Sequence, residues 1–272
     1  MSKKALLLDV LVIIITNICI IVFGIWISAI PVTKSKTFYL NQFEDNQIVH
    51  RRLERWYPNE DPDKILNDIA DLTIDYYFGN AEEYQYYIDG EEFFNEHEVR
   101  HMKDVKDLYV GGQIIAVICF FILIACIFYL AKHFRRIKRR IVFTTLGFYL
   151  AVIIALGGFV LYCYTQYSNG VYDSFFRSLF INFHHIIFPN EDKFLLATSQ
   201  GPYNGALYTL TTILDLNFFM NAGIIIGIVT GAVILIWFII IAIFVKTHKR
   251  IAKKVDDMHE RAKTFEQRMH QA

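Results

Sequence analysis

The segment His97-Glu98-Val99-Arg100-His101 holds residue types that could do chemistry. Drawn on a helix, imidazoles at i and i+4 share one face, and the glutamate could activate a metal-bound water, as in a zinc peptidase. Such a site needs a third protein ligand. The stretch Val110 to Ala131 that follows contains no Asp, Glu or His, so only Asp104, Asp107 or other loop residues could supply it. A second histidine group, His184-His185, lies inside Ser174 to Phe188 (SFFRSLFINFHHIIF). Imidazoles change charge near neutral pH, so two of them brought together would make an acid/base pair. Spacing alone leaves the metal site, the acid/base pair and ordinary surface histidines all open.

The elements that would position these groups are set by composition. Of 272 residues, 54% are hydrophobic and 20% charged, too apolar for a disordered chain or an ordinary soluble domain. Four nearly uncharged runs, Ala5 to Ile30, Val110 to Ala131, Ile141 to Tyr164 and Ala222 to Val245, are each long enough as helices to cross roughly 30 Å of hydrocarbon. The first is longer than a signal-peptide core and lacks a clean small-x-small site, so it reads as an uncleaved anchor. The expected fold is an all-α integral membrane protein: four transmembrane helices with an extracytoplasmic helical cap.

The 27 basic and 27 acidic residues cancel, which disfavours nucleic acid as a partner, but they are not mixed along the chain. Residues 132–140 carry six Lys and Arg and no acid, 246–272 carry eight basic against four acidic residues, and Lys3 and Lys4 precede the first run. By contrast, 31–109 has nine basic and eighteen acidic residues, and 165–221 has two and four. The positive-inside rule then makes 132–140 a cytoplasmic turn, 246–272 a cytoplasmic amphipathic tail, and 31–109 and 165–221 extracytoplasmic loops. His101 and His184 fall on the same side.

In the first loop, Asp61 and Pro62 open an expected helix that runs to about Tyr77 and is stopped by Gly79. The tyrosines Tyr84, Tyr86 and Tyr87 suit either a headgroup-level surface or a small packed domain. Phe93 to Leu108 reads as a helix leading into the second span. In Ser174 to Phe188, Phe175, Phe176, Leu179, Phe180 and Phe183 form one face and Ser174, Ser178, Asn182 and His185 the other, the pattern of an interfacial helix or of one closing the bundle. The four cysteines, Cys19, Cys119, Cys126 and Cys163, lie in the spans as packing residues, which disfavours a thiol nucleophile outside the membrane. Asp9 is expected to snorkel or to pair with Lys4. Gly223, Gly227 and Gly231 are expected to permit close helix packing. Ile251, Val255, Met258, Phe265 and Met269 give the tail an apolar stripe.

Two motifs resemble those of the lipoprotein intramolecular transacylase (Lit) family of four-span bacterial membrane proteins. His101-Met102-Lys103-Asp104-Val105 is similar to that family's H-M-x-D-V before the second span, and Phe183-His184-His185-Ile186-Ile187-Phe188 to its F-H-x-I-x-F after the third. The order of spans and loops matches over nearly the whole chain. The chain departs from the family pattern at Asp192-Lys193-Phe194, where a Trp is expected, at Ala197 to Leu210, which reads as added loop, and at Leu214 to Phe219, which matches L-P-x-x-F-F loosely.

The resemblance implies a bacterial cell-membrane enzyme with both termini cytoplasmic and its active site at the extracytoplasmic face. It would move the sn-2 acyl chain of a diacylglyceryl-cysteine lipoprotein onto that cysteine's own α-amino group, leaving an N-acyl lyso-lipoprotein. Diacylglyceryl-modified lipoproteins and membrane lipid would be its partners, and no cofactor or metal is implied. His101 and His184 would be the catalytic pair, Asp104 would orient His101, and Arg177 and His185 would touch the lipid head. The alternatives are a zinc protease built on His97-Glu98-Val99-Arg100-His101 and a non-enzymatic membrane scaffold or sensor.

Overall fold

The computed structural model describes residues 3–188 and 208–269. Among these the chain is almost wholly helical: α1 (Lys3–Lys34), α2 (Lys36–Asp45), α3 (Gln47–Trp56), α4 (Pro62–Phe78), α5 (Glu96–Ser168), α6 (Phe175–Ile187), α7 (Tyr208–Ile213) and α8 (Leu216–Met269), with one hairpin of β1 (Tyr87–Ile88) and β2 (Glu91–Glu92). Four helical stretches are long and apolar enough to cross a membrane: Lys3–Lys34, Glu96–Phe134, Arg136–Ser168 and Leu216–Thr247. The chain therefore has an all-α membrane-protein fold. Helical backbone runs through 132–140. That segment has no Gly or Pro, and Lys and Arg are good helix formers.

The chain forms two compact units. The first comprises residues 1–24, 119–149 and 230–272. Here α1 fixes the course of α5. Asp9 meets Tyr129, Arg136 and Arg140, Asn17 meets Thr145, and Phe23 stacks on Phe120 at 6.1 Å. Moving along α1 the contacts thus go backwards through one part of α5 and forwards through the next, so the two apolar stretches of α5 run in opposite directions. Asp9 is fully buried. Its carboxylate accepts from Arg136 at 2.7 Å, Arg140 at 2.6 Å and the Tyr129 hydroxyl at 2.8 Å, rather than from Lys4 as expected. The arginines reach it because α5 doubles back beside α1. Asn17 donates to the Ile13 carbonyl and to Thr145 and accepts from the Trp237 indole of α8. Ile13, Phe134, Ile137, Ile141 and Ile241 pack around this network.

Among the described residues, the glycine stripe of α8 does not bring helices together. A Cβ at Gly223, Gly227 or Gly231 would meet nothing within 4 Å. Close approach occurs instead at Gly24, where a Cβ would lie 3.2 Å from Thr230, and in the other unit at Gly112, where it would collide with the Trp26 indole.

The second unit comprises residues 25–118 and 150–229. Asp61 caps α4 by accepting from the Asp63 N–H, Pro62 occupies the first turn, and Gly79 at φ +84° closes the helix in the left-handed conformation. Ile65, Leu66 and Ile69 of α4 pack with Phe43, Val49, Leu53, Tyr84, Phe94 and Met102 in one core. Tyr84 is fully buried there, whereas Tyr87 is exposed, so this stretch is part of a packed domain. The Tyr86 hydroxyl donates to Asp68 at 3.0 Å; burial, then Asp68, push it up to about 12. Asp89-Gly90, both at positive φ, form the hairpin turn that such a dipeptide favours.

Asn95 starts α5 with a capping box: its side chain accepts from the His97 and Glu98 N–H groups, and Glu98 Oε2 accepts from the Asn95 N–H at 3.0 Å. Glu98 is fully buried, and its other oxygen, Oε1, accepts from the Leu210 N–H at 2.7 Å, tying α7 to the start of α5. This turn lies ahead of the apolar run beginning at Val110. Burial pushes the Glu98 carboxyl up to about 7, opposed by these backbone N–H groups, that of Thr209 and the charge of His101.

Two substitutions test these polar joints. Asp9→Asn removes the charge opposite two arginines and should cost about 1–2 kcal/mol, less than breaking a fully buried pair, because the Arg136 and Arg140 side chains are 39% and 29% exposed and water compensates them in part. Glu98→Ala strands buried N–H groups at about 1–3 kcal/mol apiece, and Glu98→Gln, with one acceptor oxygen left, should fall between it and the unmutated protein. Thermal unfolding of the full chain in detergent measures both; equal melting temperatures for Glu98→Ala and the unmutated chain would refute the clamp.

Candidate functional site

Two short helical segments in the second unit build the site. The first turns of α5 carry His101, held in place by the capping box one turn earlier and by the neighbouring Met102, which is buried in the core beside α4. The second segment is α6. Ser174 caps it by accepting from the Arg177 N–H at 3.1 Å. Its buried residues are Ser178, Ile181 and His184, three apart along one face. Ser178 Oγ donates to the Cys163 carbonyl near the end of α5 at 2.8 Å, and Asn182 donates to the Ser178 carbonyl at 2.8 Å.

The polar face of α6 therefore turns into the protein, while Phe176, Phe183 and Ile186 are 45%, 54% and 67% exposed. A helix on the surface of a water-soluble domain does the reverse. The sequence pattern separates the two faces but does not say which one packs. The inward choice follows from the hydrogen bond that Ser178 makes to the Cys163 carbonyl and from Ile181, the apolar residue that interrupts the polar face.

This packing brings the His101 and His184 rings to 5.5 Å between centroids, tilted by 31°. Phe188 lies against both, at 5.6 Å from His101 and 4.7 Å from His184, and Phe180 lies 5.6 Å from His184. His184 is buried and His101 half-buried. Both line a mostly apolar cavity of about 310 Å³ whose wall also includes Tyr77, Arg177, Leu210, Leu214 and Phe219. Burial pushes the Tyr77 hydroxyl well above its usual range, so it stays protonated there. The cavity offers two imidazoles, one guanidinium and a hydrocarbon lining. It suits a long-chain substrate whose one polar centre undergoes proton transfer.

The remaining sequence candidates are distributed differently. Arg177 lines the cavity and donates to Asp173 at 2.6 Å. His185 is half-buried and does not line the cavity. Asp104 is exposed on α5, and its charge bears on Tyr76. His97 is exposed and contacts Arg100 at 3.5 Å. Glu98 has both carboxylate oxygens engaged by backbone N–H groups, so it is not free to activate a water as a zinc peptidase would need. Among the described residues, no three His, Cys, Asp or Glu side chains gather where they could hold one metal ion. The role of Glu98 was signalled by the N-x-x-E spacing from Asn95 to Glu98, the capping-box pattern. Leu210 falls in the stretch that reads as added loop, yet it lines the cavity; Asp192, Lys193 and Phe194 lie outside the described residues.

The model of the family described as "Lipoprotein intramolecular transacylase Lit" matches residues 10–202, which contain both histidines, most of α1 and all of α2 through α6. No curated protein and no solved structure matches the chain. With well over half of its length matched, and with four apolar helices in its fold, the chain belongs to the lipoprotein intramolecular transacylase (Lit) family.

Proposed function

We propose that the protein moves the sn-2 acyl chain of a diacylglyceryl-cysteine lipoprotein onto the α-amino group of the same cysteine, with His101 and His184 as the acid/base pair. Family membership supports transacylation of lipoproteins in general. The observation that carries the finer reading is the approach of two imidazoles, 5.5 Å apart, in the wall of a hydrocarbon-lined cavity.

The chemistry asks for little more. The free amine, with a reference pKa of roughly 7.7 to 8.0, gives up its proton to one neutral imidazole as nitrogen attacks the ester carbonyl. An N–C bond forms, the carbonyl becomes a tetrahedral oxyanion, and the C–O bond to the sn-2 carbon then breaks. The departing alkoxide takes a proton from the other imidazole, leaving an amide and a free glycerol hydroxyl. Nucleophile and ester belong to one molecule, so their meeting costs only the bending of the lipid head. An apolar wall strengthens the hydrogen bonds that meet the developing oxyanion. Arg177, in the same wall, is the group proposed to touch the substrate's polar head, and His185 and Asp104 act from outside the cavity.

In this reading the protein sits in a bacterial cell membrane with both termini cytoplasmic, and the cavity opens at the extracytoplasmic face. The segregation of basic residues supports that orientation. The exposed apolar face of α6 supports its lying in the lipid beside the cavity, so a substrate anchored in the bilayer reaches the histidines without leaving it.

Expression in a bacterial host lacking other lipoprotein N-acylation, with mass spectrometry of lipoprotein N-termini, tests the reading. The unmutated protein should yield N-acyl lyso-lipoprotein; its absence would refute the proposal. His101→Ala and His184→Ala should each lower the yield by about 10²-fold or more, the scale of general acid–base catalysis. His97→Ala should retain activity, and prior chelation of the purified protein should leave the rate unchanged. Loss of activity in both of these last two experiments would instead point to a metal ion held through His97.

A further inference from the structure

The first unit holds a second cavity that the transfer reaction does not use. It measures about 370 Å³ and lies between the second apolar stretch of α5 and the apolar part of α8, lined by Val142, Leu146, Phe238, Ile241, Val245 and, at one end, Lys246. Helical spacing places more cations at that end. Lys138 and Arg139 precede Val142 by four and three residues and so share its face, one turn further along.

These cations differ from their neighbours Arg136 and Arg140, which Asp9 neutralises. Lys138, Arg139 and Lys246 are not in an ion pair among the described residues. A groove lined by hydrocarbon along its length and ending in unneutralised cations matches a molecule with an acyl chain and an anionic head. The flanking side chains point the same way: Phe143 and Ile243 are exposed apolar residues beside the groove, so its surroundings are the bilayer and its natural occupant comes from there.

We propose that this groove binds one anionic phospholipid, its acyl chain along Val142, Leu146, Phe238 and Val245 and its phosphate among Lys138, Arg139 and Lys246. Basic pockets between membrane helices recognise anionic heads by this chemistry, with each cation near the phosphate adding to affinity. The site is separate from the histidine cavity, and its test does not depend on the transfer reaction.

The full chain is reconstituted in nanodiscs of equal parts dioleoyl-phosphatidylglycerol and dioleoyl-phosphatidylcholine, and native mass spectrometry counts the lipids retained after release. Phosphatidylglycerol should be retained at least tenfold over phosphatidylcholine. The combined variant Lys138→Gln, Arg139→Gln, Lys246→Gln should lose that preference. Ala242→Trp, which fills the groove without removing charge, should lower retention of the bound lipid. Lys3→Gln with Lys4→Gln, which removes two cations that do not line the groove, should keep both. Equal retention of the two lipids overturns the proposal. So does a charge variant that retains phosphatidylglycerol as the unmutated chain does, or a Lys3/Lys4 variant that loses it equally. The charge variant alters only exposed or half-exposed side chains, so it decides the matter even if Ala242→Trp does not fold.

Discussion

A polar group in hydrocarbon must find its partner inside the protein, and this constraint organises most of what the chain does. Each unsatisfied group there costs several kcal/mol, so polar residues on apolar helices point at each other. Asp9 draws two arginines and a tyrosine to itself, and in doing so holds the start of α1 against the place where α5 doubles back. Asn17 ties α1 to α5 and α8 by donating to Thr145 and accepting from Trp237. Ser178 docks α6 onto the Cys163 carbonyl. None of these links is large, but each allows only one register.

The same constraint places the histidines. Because α6 turns its serine, asparagine and histidine inward, its phenylalanines are left outside, and His184 is carried to the wall that His101 enters from α5. Phe180 and Phe188 pack against these rings and make the surroundings of the pair apolar. Glu98 supports the arrangement from behind. It does not reach the cavity as a reagent, but its two oxygens join the first turn of α5 to Leu210, one of the residues that closes the cavity wall.

Much of this was legible in the sequence where a local rule governs. The ends of α4 follow from Asp61, Pro62 and Gly79, the start of α6 from Ser174, and the apolar runs from their length alone. Less was legible where tertiary context decides. Helices α2 and α3 did not stand out, because α3 buries only Val49 and Leu53 amid charged residues. The Asp-Gly hairpin was a readable signal that the surrounding acidic residues obscured. The partners of Asp9, 120 to 131 residues away, depend on how α5 reverses. The stripe in α8 shows that small residues permit approach without causing it: a neighbour must also be there. The tail helix continues to Met269, but apart from Met258 its side chains past 247 lie outside the described residues, as does the expected stripe.

The sparseness of the site fits the reaction proposed for it. A hydrolase or an intermolecular acyltransferase has to supply or recruit a nucleophile, and the four cysteines of this chain are all buried. An intramolecular O-to-N shift brings its own amine, already tethered to the ester, so the protein need only move two protons and hold a bend. Two imidazoles suffice for the first task and an apolar cavity for the second. The scaffold's larger investment lies elsewhere, in the capped helices and buried polar joints that fix those two rings from segments more than eighty residues apart in the chain. Preorganisation of this kind is where an enzyme with few reactive groups can concentrate its specificity.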